Sequence, residues 1–343
     1  MADRSVHSRP TIYDVANEAG VAISTVSRVL NASPEVSDPT REKVQAAIEK
    51  LQFQPQRTAR NLAQQSTTSI AVALPSATSL FFVEILKGVK DVLRDQDIDL
   101  LLSNLGSAQP YPTLQRFLRR GTVDGLLLVA LPVDEALSMQ IGGMRAPVVL
   151  LGSKYPGLDA YWWDDASGAR EAVSYLISEG HERIGLITAH SWSTSSAPRL
   201  EGYRAALSEA GIPLDPDLIQ AGQATKHAGF SEEAGAEAME RLMSLDRPPT
   251  AVFASSDVQA YGAWAYARDN SIRIPREVSL VGYDDLKLSR FLDLTTIAQG
   301  MHEAGRMATE RLLERLKEPH DDRVDVQLSL DLKIRGSSGT APS

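Results

Sequence analysis

Apolar residues recur at helical spacing in the first part of the chain: Ile12, Val15, Ala16 and Ala19 make one stripe, and Val26, Val29 and Leu30 the next. Gly20 between them suits the left-handed C-cap that ends a first helix, and Val21 can then bury where two helices cross. Thr11 followed by Asp14 has the form of a capping box, with Asp for the usual Glu, so the first helix is expected to start there with its amides free to face a phosphate. The pattern predicts a helix-turn-helix. A third stripe, Val44, Ala47, Ile48 and Leu51, follows Ser37, a good N-cap, with Pro39 tolerated in the first turn. Pro55 ends this three-helix unit, and residues 56–68 read as a polar connecting segment in which Ala59, Leu62 and Ala63 are too few to hold a helix unaided.

From Ser69 the texture changes to short apolar runs alternating with amphipathic helices. Residues 70–74, 100–103, 126–129 and 148–151 read as buried strands, with helical segments over 82–94, 113–120 and 134–139. After a helix over 166–179 the pattern restarts with strands over 184–188, 251–254 and 278–283 and helices over 200–210, 231–245 and 258–270. Such alternation implies parallel sheets covered on both faces, and the count fits two doubly wound lobes better than one. A helix over 302–317 and strands over 324–328 and 332–334 would cross between the lobes. The expected division is lobe 1 over 69–165 and 298–323, lobe 2 over 166–297 and 324–335, and a disordered tail over 336–343.

Composition narrows the function classes. The 343 residues hold no cysteine, which removes disulfides and thiolate metal sites, and no metal or cofactor is expected. No apolar run approaches a membrane span and the opening MADRSVHSRP lacks the core of a signal peptide, so a cytoplasmic protein with no membrane partner is expected. The net charge of −9 is uneven: residues 1–65 carry eight basic and seven acidic side chains, hence +1, and the remainder carries −10. A head so weakly basic would hold DNA poorly alone, which favours a dimer that doubles the phosphate contacts.

The run Thr11-x-x-Asp14-Val15-Ala16-x-x-Ala19-Gly20-Val21 with Thr25-Val26-Ser27-Arg28-Val29-Leu30-Asn31 closely resembles the headpiece of the LacI/GalR (lactose-repressor-like) transcription regulators. The likeness continues through Val36 to Pro55 and Ala59 to Ala63 and, more loosely, along nearly the whole remaining chain. It implies an all-α helix-turn-helix headpiece plus an α/β two-lobed periplasmic-binding-protein-like core with parallel doubly wound sheets. It also implies a non-enzymatic regulator, a repressor that binds a palindromic double-stranded operator as a homodimer or tetramer under control of a small effector. By the same resemblance Thr11, Ile12, Asn31, Ser37, Thr40 and Gln56 face DNA, and residues 56–65 are a hinge helix whose Leu62, beside Ala59, wedges a minor-groove step. The residues themselves agree. Ile23, Ser24, Thr25, Ser27 and Arg28 point outward from the second helix, where short hydroxyls allow close approach and Arg28 can fork onto guanine.

Between two such lobes the carboxyl ends of the strands face one cleft, where a ligand is expected. Phe81 and Phe82 follow the first strand and are either core or ligand contacts; the resemblance tips Phe82 toward stacking. Asp124 precedes a strand, and Asp164 and Asp165 open a helix, where N-capping is a sufficient explanation. Arg199 matches an Arg that the family uses to grip effector oxygens, and a cation just inside a helix start needs such a partner. Ser256, Asp257 and Asp284 stand at strand ends, Asp284 as a carboxylate that accepts two adjacent hydroxyls or an N–H pair and so fixes a polar ligand, and Gln299 matches a polar position near the lobe crossing. A sugar or sugar derivative is expected, with a nucleobase as the alternative, acting as either inducer or corepressor.

Some positions depart from the family pattern. Ala22 removes a usual Ser cap before the second helix, Phe53 stands where a Tyr hydroxyl often meets phosphate, and Ala224 falls where some sugar-responsive members stack an aromatic. Trp162, Trp163 and Trp192 are additions that fit core, dimer surface or a substitute platform. An enzyme reading finds only Ser193 to Ser196 beside His190, which a polar loop explains. A solute receptor accounts for the lobes but not for residues 1–65.

Overall fold

The computed structural model describes residues 10–30, 33–53, 69–106, 110–119, 123–191, 193–318 and 322–342. Two compact units divide at Thr68 and Ser69. In the first unit, helices α1 (Ile12–Ala19), α2 (Ile23–Leu30) and α3 (Asp38–Leu51) enclose Val15, Val26 and Val44, each with no exposed surface. Thr11 and Asp14 form the box: Thr11 N donates to Asp14 Oδ2 at 2.7 Å and Asp14 N to Thr11 Oγ1 at 3.4 Å. The Thr11 hydroxyl, donating to Asp14 Oδ2 at 2.7 Å, and the Thr11 amide together hold the Asp14 carboxyl below its usual pKa, and the box occupies two amides, Thr11 N and Asp14 N, that were expected to be open to phosphate. Gly20 closes α1 at φ 64°, a conformation a side chain would strain. Ser37 occupies the N-cap of α3, yet its hydroxyl pairs with Thr40 Oγ1 at 2.9 Å rather than capping an amide.

The second unit contains two six-stranded sheets. In chain order its elements are β1 (Ser69–Leu74), α4 (Leu80–Leu93), β2 (Asp99–Asn104), α5 (Pro110–Leu118), β3 (Gly125–Val129), α6 (Glu135–Gly142), β4 (Val148–Leu151), β5 (Asp159–Trp162) and α7 (Asp165–Ser178). Then come β6 (Ile184–Thr188), α8 (Ser196–Glu209), β7 (Ile219–Ala221), α9 (Glu232–Met243), β8 (Ala251–Ala254), α10 (Asp257–Asp269), β9 (Ser279–Asp284), α11 (Lys287–Phe291), β10 (Thr295–Ala298), α12 (Met301–Lys317), β11 (Asp325–Gln327) and β12 (Asp331–Lys333). The first sheet runs β11-β5-β4-β3-β1-β2 with every pair parallel; the second runs β12-β10-β9-β8-β6-β7, with only β12 antiparallel.

The period-two alternation of a strand decides which helix covers which face. In β1, Ile70, Val72 and Leu74 pack with Ile85 and Val89 of α4 and Leu312 of α12, while Ala71 and Ala73 turn toward Leu114 of α5 and Leu137 of α6. Contact between α4 and α12 is close because a Cβ on Gly88 would stand 1.9 Å from His302 O and one on Gly305 2.3 Å from Ile85 O. The second sheet is sandwiched likewise, Phe253 and Val281 against α7 and α8, Val252 and Leu280 against α9 and α10.

The chain passes between lobes three times: from β5 to α7, from β10 to α12 and from β11 to β12. Two expectations are corrected here. Residues 324–328 pair through β11 with β5 and so belong to the first lobe, not the second. The tail expected to be disordered is docked over 336–342: Ser337 Oγ accepts from Thr295 N at 2.8 Å and donates to Leu280 O at 2.6 Å, and Ala341 N donates to Glu179 O at 2.9 Å. Its small polar residues gain buried backbone partners that no local pattern announces.

Candidate functional site

On the head, the exposed surface of α2 carries Ile23 (40% exposed), Ser24 and Arg28, with Thr25 and Ser27 half-buried beside them. Arg28 reaches Glu35 at 3.7 Å, both side chains largely in water, so the pair is weak and its guanidinium remains available. Thr11 and Ser37 are exposed, with Ile12 and Thr40 half-buried. Asn31, Gln56, Ala59, Leu62 and Trp192 lie outside the described residues.

In the core, the carboxyl ends of β1, β3 and β4 from one lobe and of β6, β8 and β9 from the other surround a cavity of about 370 Å³. Phe81, Phe82, Arg199, Ser256, Asp284 and Gln299 all line it, as does Asp165. Arg199 is held from several sides: Nε donates to Asp165 Oδ1 at 2.8 Å, Nη1 donates to Ser255 O, and the guanidinium lies 3.7 Å from the centre of the Tyr283 ring. Its Nη1 is 3.9 Å from Asp284. Asp284 accepts from Gln299 Nε2 at 2.6 Å, and burial pushes its carboxyl well above the ordinary range in spite of Arg199. A carboxyl of this kind can both donate to and accept from a hydroxyl.

Three sequence candidates sit elsewhere. Asp124 lies at the amino end of β3, where Oδ2 accepts from Ser69 N at 3.0 Å, so it faces away from the strand ends that bound the cavity. Asp164 caps α7, accepting from Ser167 N at 3.1 Å. Asp257 is fully buried and accepts from Leu286 N at 2.8 Å and from Ser289 and Thr296 hydroxyls at 2.5 Å each, tying α10 to the loop after β9, to α11 and to β10. Burial raises its pKa to about 6 against those hydrogen bonds. Its three donors leave it no ligand role.

Other residues join the cavity unheralded. Trp163, an open question in the sequence, forms its wall, donating to Gln299 O at 2.7 Å and meeting Phe81 edge-on at 6.0 Å. Trp162 instead donates to Asp325 at 2.6 Å under the Lys154 ammonium. His227 lines the cavity in the left-handed conformation, and its Nδ1 pairs across the cleft with Ser76 Oγ at 2.9 Å. Burial, with Lys226 beside it, lowers its pKa. Phe230 from the same loop supplies an aromatic that Ala224 does not. Ser193, Thr194 and Ser195 line the cavity, whereas Ser196 Oγ donates to Ala189 O at 3.0 Å and His190 Nε2 pairs with Ala224 O at 3.1 Å, which is loop structure and not a nucleophile with its base.

Among the described residues no set of three His, Cys, Asp or Glu side chains is placed to hold a metal, and no helix is long and apolar enough to cross a membrane. A helix-turn-helix head in one chain with a two-lobed α/β core that holds a ligand-sized cleft defines a DNA-binding regulator of the ligand-responsive kind. Residues 11–56 match the lacI family of bacterial regulatory proteins, and residues 173–338 match a periplasmic binding protein-like domain. The chain is 33% identical over 349 aligned residues to the HTH-type transcriptional repressor CytR of Escherichia coli K12, covering all of both chains. Two solved structures are similar: the CelR–cellobiose complex (30% identity, TM-score 0.69, 96% of this chain and 100% of that one) and the Lac repressor dimer bound to operator and an anti-inducer (26%, 0.79, 97% and 100%). This protein belongs to the lacI family of bacterial regulatory proteins; it is a DNA-binding transcription regulator and not an enzyme.

Proposed function

We propose that this chain is a cytoplasmic repressor that binds a near-palindromic operator as a homodimer and is controlled by a small polar effector held between its lobes. The observation that carries the effector half is the convergence of Arg199, Ser256, Asp284 and Gln299 on one cavity at opposed strand ends. A ligand touching both lobes makes its full contacts at only one separation, so it favours one lobe angle. The DNA half rests on α2, whose exposed Ile23, Ser24 and Arg28 suit base edges while the amides of Ile12 and Tyr13, outside the Thr11–Asp14 box, suit phosphate. Ser37 and Thr40 add hydroxyls within reach of a backbone, and Asn31, Gln56, Ala59 and Leu62 keep the DNA contacts that the family resemblance implies.

The complex of the CelR relative with cellobiose supports a sugar or sugar derivative as effector. A second reading, a nucleobase acting as corepressor, is favoured by the Phe81–Trp163 wall, on which a flat ring would stack. Selection from a random duplex pool by the full chain tests the DNA half. It should enrich a two-fold symmetric sequence with half-sites about one helical turn apart; enrichment of an asymmetric site, or of none, contradicts it.

A further inference from the structure

Ser76, just beyond the end of β1 in the first lobe, and His227, in the second-lobe loop between β7 and α9, meet across the cleft with Oγ and Nδ1 2.9 Å apart. None of the three crossings runs through this contact. Ser76 is buried, and its hydroxyl has a second neighbour in Thr78 Oγ1 at 3.4 Å. The loop is anchored to its own lobe on both sides of the histidine: Ala224 O pairs with His190 Nε2 at 3.1 Å, Ala228 O accepts from His190 N at 2.9 Å and Gly229 O accepts from Gln259 Nε2 at 3.0 Å. Between those anchors His227 and Ala228 both lie in the left-handed region, at φ 52° and 60°. Two successive residues with side chains rarely share that conformation, which costs energy at each and persists only where the surroundings hold it. What the strained pair achieves is an imidazole set against the opposite lobe.

The ring is half-buried between the lobes. The charges that face it are Lys226, which pairs with Glu233 at 3.8 Å, and Glu232 and Glu233 at the start of α9; Asp165, Arg199 and Asp284 line the same cavity. Burial and the Lys226 ammonium outweigh the two glutamates and hold the imidazole below its ordinary pKa of 6.5 while the lobes are closed on it. Opening the cleft returns the ring to water and its pKa toward that ordinary value. The closed form therefore binds fewer protons than the open one, so the preference for closure is full above 6.5 and declines as pH falls through that value. We propose that Ser76 and His227 are positioning residues that clasp the lobes and set the lobe angle of the ligand-free chain, and that protonation of His227 releases the clasp. The clasp fixes the angle from which any ligand in the cleft starts, whatever the chemistry of that ligand.

Förster transfer on the ligand-free full chain reads the angle. The sequence holds no cysteine, so dyes at Glu135→Cys on α6 and Glu201→Cys on α8, both exposed positions, report one distance between the lobes when labelled chain is diluted into unlabelled chain. The ratio of high-transfer to low-transfer molecules should fall severalfold from pH 8 to pH 5.5, at most about tenfold given an ordinary pKa of 6.5. Ser76→Ala should lower the ratio about fivefold or more at pH 8. Asn can offer its amide where Nδ1 stands, tolerates the left-handed backbone and does not titrate, so His227→Asn should make the ratio independent of pH. Circular dichroism confirms the fold of each variant. A Ser76→Ala ratio equal to wild type at pH 8 overturns the clasp, and a wild-type ratio that does not fall on acidification overturns its release. A pH response that survives in His227→Asn overturns His227 as the titrating group and assigns that response to a carboxyl such as Asp284. Since neither effector nor operator enters the measurement, each of these outcomes leaves the effector reading of the cleft to its own test.

Discussion

Gln299 Nε2 donates to Asp284 Oδ1 at 2.6 Å, and this bond ties the second crossing between the lobes to a cavity carboxyl that burial pushes well above the ordinary range. Asp284 also sits at φ 127°, a conformation disfavoured for a residue with a side chain, and stands 3.9 Å from Arg199. Strain, burial and a partner from the crossing segment together mark it as the point where a ligand acts on the lobe angle.

Asp284→Asn keeps size and one acceptor but loses the ionisable proton. Ligand-free operator affinity should stay within about twofold of wild type, since the site is in the other unit, while effector affinity falls about tenfold or more. Fluorescence anisotropy of a labelled operator, with and without effector, reads both. An effector response equal to wild type would reduce Asp284 to a structural residue.

Arg28→Ala removes the exposed guanidinium of α2. The loss should be about 1–3 kcal/mol on the selected operator and much less on random duplex. Equal losses on the two DNAs, by the same anisotropy titration, would make Arg28 a phosphate contact.

How far the chain's pattern is legible can be judged element by element. The turn at Gly20 and the Thr11–Asp14 box are local chemistry and stand as read. The apolar runs at Ile184–Thr188, Ala251–Ala254 and Val148–Leu151 are strands to the residue. β5 escapes the pattern because it opens with Asp159, whose burial depends on a distant Arg311 Nε at 3.0 Å, β7 because it has only three residues, and β10 because Thr295 and Thr296 break its apolar run. In the cleft, Ser256 and Asp284 are legible because strand ends mark the cleft in an α/β sheet, whereas Arg199 and Gln299 are legible only through the family resemblance; all four line the cavity. Asp124 and Asp257 were misassigned, since a carboxylate beside a strand does not declare which end it occupies or whether buried hydroxyls will saturate it. Trp163 stands open in the sequence between core, dimer surface and a substitute platform, and His227 gives no signal, because loops carry both to the cavity.

The docked tail gives a stability prediction. Ser337 has no exposed surface and bridges Thr295 N and Leu280 O, so Ser337→Ala should leave a buried amide unsatisfied and cost about 1–3 kcal/mol. Urea denaturation of the full chain followed by circular dichroism checks this. A change below about 0.5 kcal/mol would mean that the tail contributes little to the second lobe.

Asp257 makes stability depend on pH in an unusual direction. Its folded-state pKa of about 6 lies above the ordinary 3.8, so the folded chain binds the extra proton between those values and stability falls as pH rises through that window. The span amounts to at most about 3 kcal/mol. Asp257→Asn can keep its amide oxygen toward Leu286 N and turn its NH₂ toward the Thr296 hydroxyl, and it does not titrate. The stability advantage of wild type over this variant should therefore shrink from pH 4.5 to pH 7. An advantage that grows over that range would show the carboxylate to be favoured by its three donors over its burial.

The central claim is that occupancy of the cleft controls the head. The most direct measurement is operator affinity of the full chain with the cleft empty and with it saturated by the tightest ligand found calorimetrically, paired with ligand affinity on free and operator-bound protein. The ligand should change operator affinity by about five- to 150-fold, and operator should change ligand affinity by the same factor. Identical operator affinities with the cleft empty and full would contradict it.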